Sequence, residues 1–275
     1  MDWLSRFVLL FPQGSVALSE RDLMLQAFLF MLIVAVPVFG LIFFFAWRYR
    51  DRGAAANEKP DAPLYTPDWA HSYLEELIWW AIPLEIVLVL AALTWGSTHA
   101  LDPRKPLSAE PPLVVEVVAL DWKWLFIYPQ LDIATLNYLE IPAGRPVEFE
   151  VTADAPMNSF WIPSLGGQIY AMTGMVNTLN LEAEAPGRFD GRSANYSGIG
   201  FADMQFVTQA DATSTFDAWV SSVQQKYPAL DSASYAALAK PATSSPASFG
   251  SVSPGLFGTI VGKFTSGEPA GGHDH

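Results

Sequence analysis

The sequence predicts a membrane-anchored, mainly β protein: a two-helix transmembrane hairpin, then a β-sandwich, then a small C-terminal helical extension. Three observations carry this expectation. Leu23–Trp47 runs without a single charge, and Leu77–Thr98 is apolar apart from Glu85. Beyond Leu113 the apolar residues begin to alternate, with Val147, Phe149 and Val151 set against Glu148, Glu150 and Thr152, the period of a half-buried strand.

As a helix, Leu23–Trp47 spans roughly 37 Å, enough to cross a hydrocarbon core of about 30 Å. Ser19 is expected to cap it, with Glu20 and Asp22 near the positive end of the helix dipole. Pro83 is tolerable inside the second span where neighbouring helices re-satisfy the freed carbonyl. Arg48, Arg50, Arg52 and Lys59 lie between the spans, so the connecting loop is expected on the cytoplasmic side and both termini on the outer side. Trp47 and Tyr49 stand at interfacial depth, Gly53–Pro67 reads as loop, and His71–Glu76 opens the second helix. The segments expected are an N-terminal stretch over 1–21, spans over 22–48 and 75–99 around a loop at 49–74, and a linker over 100–112 stiffened by Pro103, Pro106, Pro111 and Pro112.

The sandwich is expected over 113–210, with strands at Val114–Val118, Trp122–Tyr128, Tyr138–Ile141, Val147–Thr152, Phe160–Ile162, Gln168–Met172, Thr178–Glu182 and Met204–Thr208. The extension, 211–265, places Phe216, Trp219, Val220 and Val223 at helical spacing. It continues with short helices at Ser232–Ala239 and Pro254–Phe264 and an extended loop at Pro241–Ser253. Residues 266–275 read as a flexible tail.

The formal charge of −13 divides into 6 basic and 10 acidic residues over 1–100, and 9 basic and 18 acidic residues over 101–275. An acidic exterior argues against nucleic acid and against docking on anionic headgroups. There is no cysteine, which rules out disulfides, thiolate metal sites, thiol chemistry and a cysteine-linked lipid. The weak apolar run Phe7–Phe11 is broken by Pro12 and lacks an Ala-x-Ala-like site, so it is not read as a cleaved signal peptide.

Several motifs follow one another in a specific order: Leu74-Glu-Glu76-x-x-Trp79-x-x-x-Pro83, Thr94-Trp-x-x-x-His99, Asp121-Trp-Lys-Trp-Leu-Phe-Ile-Tyr-Pro129, Met157-Asn-Ser-Phe-Trp-Ile-Pro163, Pro186-Gly-Arg-Phe189 and Tyr196-Ser-Gly-Ile-Gly-Phe-Ala-Asp-Met204. With them the chain resembles subunit II of the haem-copper respiratory oxidases over nearly its whole length. Gln168–Met172, Gly174-Met175, Phe216-Asp-x-Trp219 and Leu256-Phe with Lys263-Phe264 make it similar in particular to the proteobacterial cytochrome bo-type ubiquinol oxidases.

The resemblance implies a cupredoxin-like Greek-key sandwich. Copper-bearing members hold a binuclear centre with a His before the Ser-Phe strand and a Cys-x-x-x-Cys-x-x-x-His-x-x-Met loop, whose soft thiolates suit copper in both redox states. Here Asn158 stands at the first His position, the loop is shortened, and Gly200, Phe201 and Met204 occupy what remains, so no metal is expected in this chain. The resemblance then implies a non-catalytic subunit of a proton-pumping ubiquinol oxidase in the bacterial inner membrane. Haems and copper would belong to subunit I, and ubiquinol to the complex. The partners implied are subunit I, smaller membrane subunits and the phospholipid membrane, without cytochrome c.

Two carboxylates stand apart because ionisable groups in membrane helices are costly. In relatives, the Glu at the place of Glu76 lies at the mouth of a proton path into subunit I; on the residues alone, Glu76 is equally a carboxylate favoured by the first helical turn. Glu85, about 13 Å deeper and about 180° around, is expected to bond a helix of the complex or the first helix and to carry no protons. Trp122, Trp124, Phe126 and Tyr128 read as packing. His71 and His99 lie at opposite helix ends and cannot share a metal, and His273 and His275 sit in the tail. A membrane-tethered periplasmic binding or assembly module with a metal-free cupredoxin fold is the alternative.

Overall fold

The structure, a computed structural model, describes residues 9–48, 50 and 71–265. It contains two compact units, Asp22–Ala100 and Met1–Arg21 with Leu101–His275. The expected tail, most of the loop at 49–74, His273 and His275 lie outside the described residues.

The first unit is helical. Helix α1 runs Ser15–Arg48 and α2 runs Tyr73–Ala100, both long and apolar enough to cross a membrane. Their large side chains, Phe43, Trp47, Trp80 and Leu88 among them, face outward all round, which suits a hydrocarbon solvent and would be costly in water. Pro37 and Pro83 lie inside the helices. Helix α1 begins four residues before the expected cap: Ser19 is interior, and its hydroxyl donates back to the Ser15 carbonyl at 3.1 Å.

Residues 15–21 of α1 belong to the second unit, and the early start has its physical cause there. The Gln13 and Ala17 amides donate to the Ser164 and Leu165 carbonyls, and the Gln13 carbonyl accepts from Glu184. A Cβ at Gly14 would lie 2.6 Å from the Leu165 carbonyl oxygen, so only glycine permits this approach.

The second unit is built on two sheets. The first contains β1 (Leu113–Leu120), β2 (Lys123–Tyr128), β3 (Ile133–Leu136), β5 (Val147–Ala153) and β8 (Asn177–Leu181), extended at its edge by β12 (Ala247–Phe249) in the order β12-β3-β2-β1-β5-β8. The second contains β4 (Tyr138–Pro142), β6 (Asn158–Trp161), β7 (Ile169–Ala171), β9 (Gly187–Ser193) and β10 (Gln205–Asp211) in the order β4-β10-β9-β6-β7. Strands β1 and β5 pair in parallel, as do β4 and β10; the other neighbours are antiparallel. This is the mainly β sandwich that the alternation predicts.

The core between the sheets takes Val115 and Val117 from β1, Trp124 and Phe126 from β2, Phe149 and Val151 from β5, and Phe160 and Phe206 from the facing sheet. Helix α3 (Thr213–Lys226) adds Phe216, Val220 and Val223 to it.

A further layer covers the outer face of the first sheet. Val118, Leu120, Leu125, Ile127 and Leu136 point away from the central core and meet Leu230, Tyr235, Leu256, Phe257 and Ile260. The latter come from β11 (Ala229–Leu230), α4 (Ser232–Leu238) and α5 (Leu256–Thr265). Every residue of β2 is therefore buried, on both faces. The segment expected as an extended loop, Pro241–Ser253, instead carries β12 and β13 (Ser251–Val252), the latter paired with β11. Strands β3 and β9 fall outside the strands expected from sequence.

Candidate functional site

Strand β6 carries Phe160 inward, where its ring stacks on Phe206 at 5.3 Å and meets Trp124, Phe126 and Phe149. Asn158, two residues earlier, points to the same side and is 1 % exposed. Its Nδ2 donates to Met204 Sδ at 3.1 Å and to Ser197 Oγ at 2.9 Å, while its Oδ1 accepts the Ser159 amide at 2.7 Å. Met204 is likewise 1 % exposed. The structure thus brings together Asn158 and Met204, two of the four residues that the motif resemblance marks as vestigial copper-site positions.

The other two are turned to packing. The loop Tyr196–Met204 closes through Phe201 N–H to the Gly198 carbonyl, Asp203 N–H to Gly200 and Met204 N–H to Phe201. Phe201 meets the Tyr196 ring edge-on at 5.6 Å. Gly200 lies under Trp122, where a Cβ would come within 2.4 Å of the indole. Trp122 Nε1 donates to the Ser197 carbonyl at 3.0 Å. Trp122 is the second residue of the β1–β2 hairpin loop and has φ +62, a conformation in which a bulky residue is a clear outlier.

The chemistry of this donor set does not fit a binuclear copper centre. It offers an amide, a hydroxyl and a thioether already engaged with one another, and no thiolate or imidazole. Among the described residues no three His, Cys, Asp or Glu side chains gather as ligands. The arrangement can close and rigidify one end of the sandwich.

Other polar groups lie outside the motifs. Asn137, at φ +53, accepts the Trp124 amide and donates to the Ser244 carbonyl at 2.7 Å, tying the hairpin to the C-terminal segment. Lys123 is 1 % exposed, and its Nζ donates to the Lys240 carbonyl at 2.7 Å. Burial lowers its pKa, partly offset by Asp121. The buried Glu140 accepts the Tyr138 hydroxyl at 2.7 Å. Burial pushes Glu140 up to about 7, the Tyr138 bond opposing and Asp211 adding to the rise. On the first sheet the parallel register sets Glu116 beside Glu150, and burial first, then that like charge, raises Glu116 to about 7. An Asn in a tight connection was a legible signal; a Lys between two tryptophans was a weak one.

In the helical unit, Ser72 Oγ accepts the Glu75 amide at 3.4 Å, an N-cap for α2, and the Glu76 amide donates to the Ser72 carbonyl. Glu76 Oε1 lies 3.7 Å from His71 Nδ1. Glu85 is exposed and makes no hydrogen bond or ion pair among the described residues. His99 Nδ1 lies 2.8 Å from the Trp95 carbonyl.

Residues 125–211 match the family described as cytochrome c oxidase subunit II, periplasmic domain, and residues 224–268 match the COX Aromatic Rich Motif. The second match falls on the layer that covers the first sheet. The chain is 48 % identical over 260 residues to cytochrome bo(3) ubiquinol oxidase subunit 2 of Pseudomonas putida, covering 94 % of this chain and 81 % of that one. It is 46 % identical to ubiquinol oxidase subunit 2 of Acetobacter aceti, covering 93 % and 82 %. With the cytochrome bo(3) ubiquinol oxidase subunit 2 of Pseudomonas aeruginosa it shares 45 % identity over 96 % of this chain and 78 % of that one. At such identity over almost all of its length, the chain belongs to the ubiquinol oxidase subunit 2 family.

Proposed function

We propose that this chain serves as the non-catalytic subunit II of a proton-pumping ubiquinol oxidase of the aerobic respiratory chain, capping and stabilising subunit I from the periplasmic side. The observation that carries this reading is the closed Asn158–Met204–Ser197 cluster under Trp122. A domain of this family with hydrogen bonds where its relatives place copper has no acceptor for cytochrome c. Haems and copper reside in subunit I, where they reduce oxygen to water, and ubiquinol is oxidised within the complex. This chain's own residues bind neighbours and hold geometry.

The two spans sit in the bacterial inner membrane with the sandwich periplasmic, contacting subunit I, smaller membrane subunits and phospholipid, without nucleic acid. Glu76, in the first turn of α2, is the candidate proton-path carboxylate, and the His71 imidazole beside it keeps it in a polar setting. Glu85, exposed on α2, is assigned a packing partner on another helix of the complex and no role in carrying protons.

Isolation from native membranes through a tag on this chain tests the reading. Co-isolated haem, seen in reduced-minus-oxidised spectra, is the expected result. A stable chain free of haem would instead identify a tethered periplasmic binding or assembly module.

A further inference from the structure

Two loops at one end of the sandwich meet the end of α5. The first follows β5 and begins at Asp154; the second follows β7 and contains Gly174. Strand pairing joins them, through Asn158 opposite Ala171 and the bridge between Ala153 and Thr173, and Thr152 Oγ1 donates to the Met172 carbonyl at 3.2 Å. Asp154 Oδ2 accepts the Tyr235 hydroxyl of α4 and the Lys263 ammonium of α5, each at 2.5 Å. Lys263 Nζ also lies 5.0 Å from the Tyr235 ring centroid. At Gly174, φ +71, a Cβ would sit 3.1 Å from Phe264 Cβ.

We propose that Asp154, Tyr235 and Lys263 form a clasp that fastens the C-terminal helices to these loops and thereby fixes the loops' position. The Asp154 side chain is 9 % exposed, and a carboxylate so placed needs a paired cation and hydrogen-bond donors. The clasp supplies both, and burial together with Asp154 raises the Tyr235 pKa, keeping its hydroxyl a donor. The apolar contacts of Leu256, Phe257 and Ile260 hold the helices on the sheet by themselves. Opening the clasp therefore frees the end of α5 and the loops without unfolding the sandwich. The consequence falls on Met157, Met175 and Val176, the exposed apolar residues of those loops.

Hydrogen exchange on the full chain in detergent tests this without reference to haem or quinol. In Asp154→Asn, amides of 171–176 and of the last turn of α5 should exchange about tenfold faster, with β1 and β5 unchanged. The charge-swapped pair Asp154→Lys with Lys263→Asp should recover much of the protection, and Lys263→Met should not. Unchanged exchange in Asp154→Asn, acceleration spread equally over both sheets, or failure of the swapped pair to recover protection overturns the clasp.

Discussion

An asparagine has too few and too hard donors to take the part of a histidine at a soft metal, and at position 158 its hydrogen-bond capacity is already used. Its amide nitrogen serves Met204 and Ser197, and its oxygen serves Ser159. Restoring an imidazole alone, in Asn158→His, should leave the chain without stoichiometric copper by metal analysis, because the thiolates remain absent. Trp122 is held at positive φ, a strain of about 1–3 kcal/mol, and its indole N–H to Ser197 is the compensating bond. Gly200→Ala forces a Cβ into that indole and should destabilise the unit by ~1–3 kcal/mol in chemical denaturation. Asn158, Gly200, Phe201 and Met204 were legible as motif positions. That two of them bond to each other and a third supports a strained tryptophan was not, because neither contact leaves a periodic trace.

Strands show the same division. The alternation over Val147–Thr152 predicts β5, whose Val, Phe and Val face the core while Glu148 and Glu150 face outward. Strand β9 escapes the sequence reading because its inward positions are Phe189, Gly191 and Ser193. Gly191 is required there, since a Cβ would lie 2.1 Å from the Phe206 ring. Strand β12 lies in a Ser-rich stretch and gains its order from pairing with β3. Phe160→Ala on β6, removing the ring that Phe206 stacks on, should cost about 3–5 kcal/mol by denaturant titration. The outward carboxylates make stability depend on pH. Glu116 and Glu140 rise from 4.5 to about 7 on folding, so the folded state favours their protonated forms. Their contribution is whole below pH 4.5 and is lost as pH rises through about 7. The melting temperature of the second unit's transition should fall over that interval, and Glu116→Gln should reduce the fall.

For the molecule as a whole, apolar runs and arginines suffice for two spans, and strand periodicity for a sandwich. The third layer was legible only as helices, because β11, β12 and β13 are too short to register and because the apolar outer face of β2 is hidden within an unbroken apolar stretch. That layer turns a two-sheet sandwich into a three-layer unit with no open β2 face. Glu76 is the proposed proton-path carboxylate of this chain. Glu76→Gln should lower quinol-driven turnover while leaving assembly, judged by haem content, unchanged; unaltered turnover would leave Glu76 as a carboxylate of the first helical turn. This subunit is proposed to serve quinol and to receive nothing from cytochrome c. Oxygen uptake by the complex purified through this chain addresses it most directly. Uptake is expected with reduced ubiquinone and none with reduced cytochrome c; uptake supported by cytochrome c but not by quinol would overturn the quinol-oxidase reading.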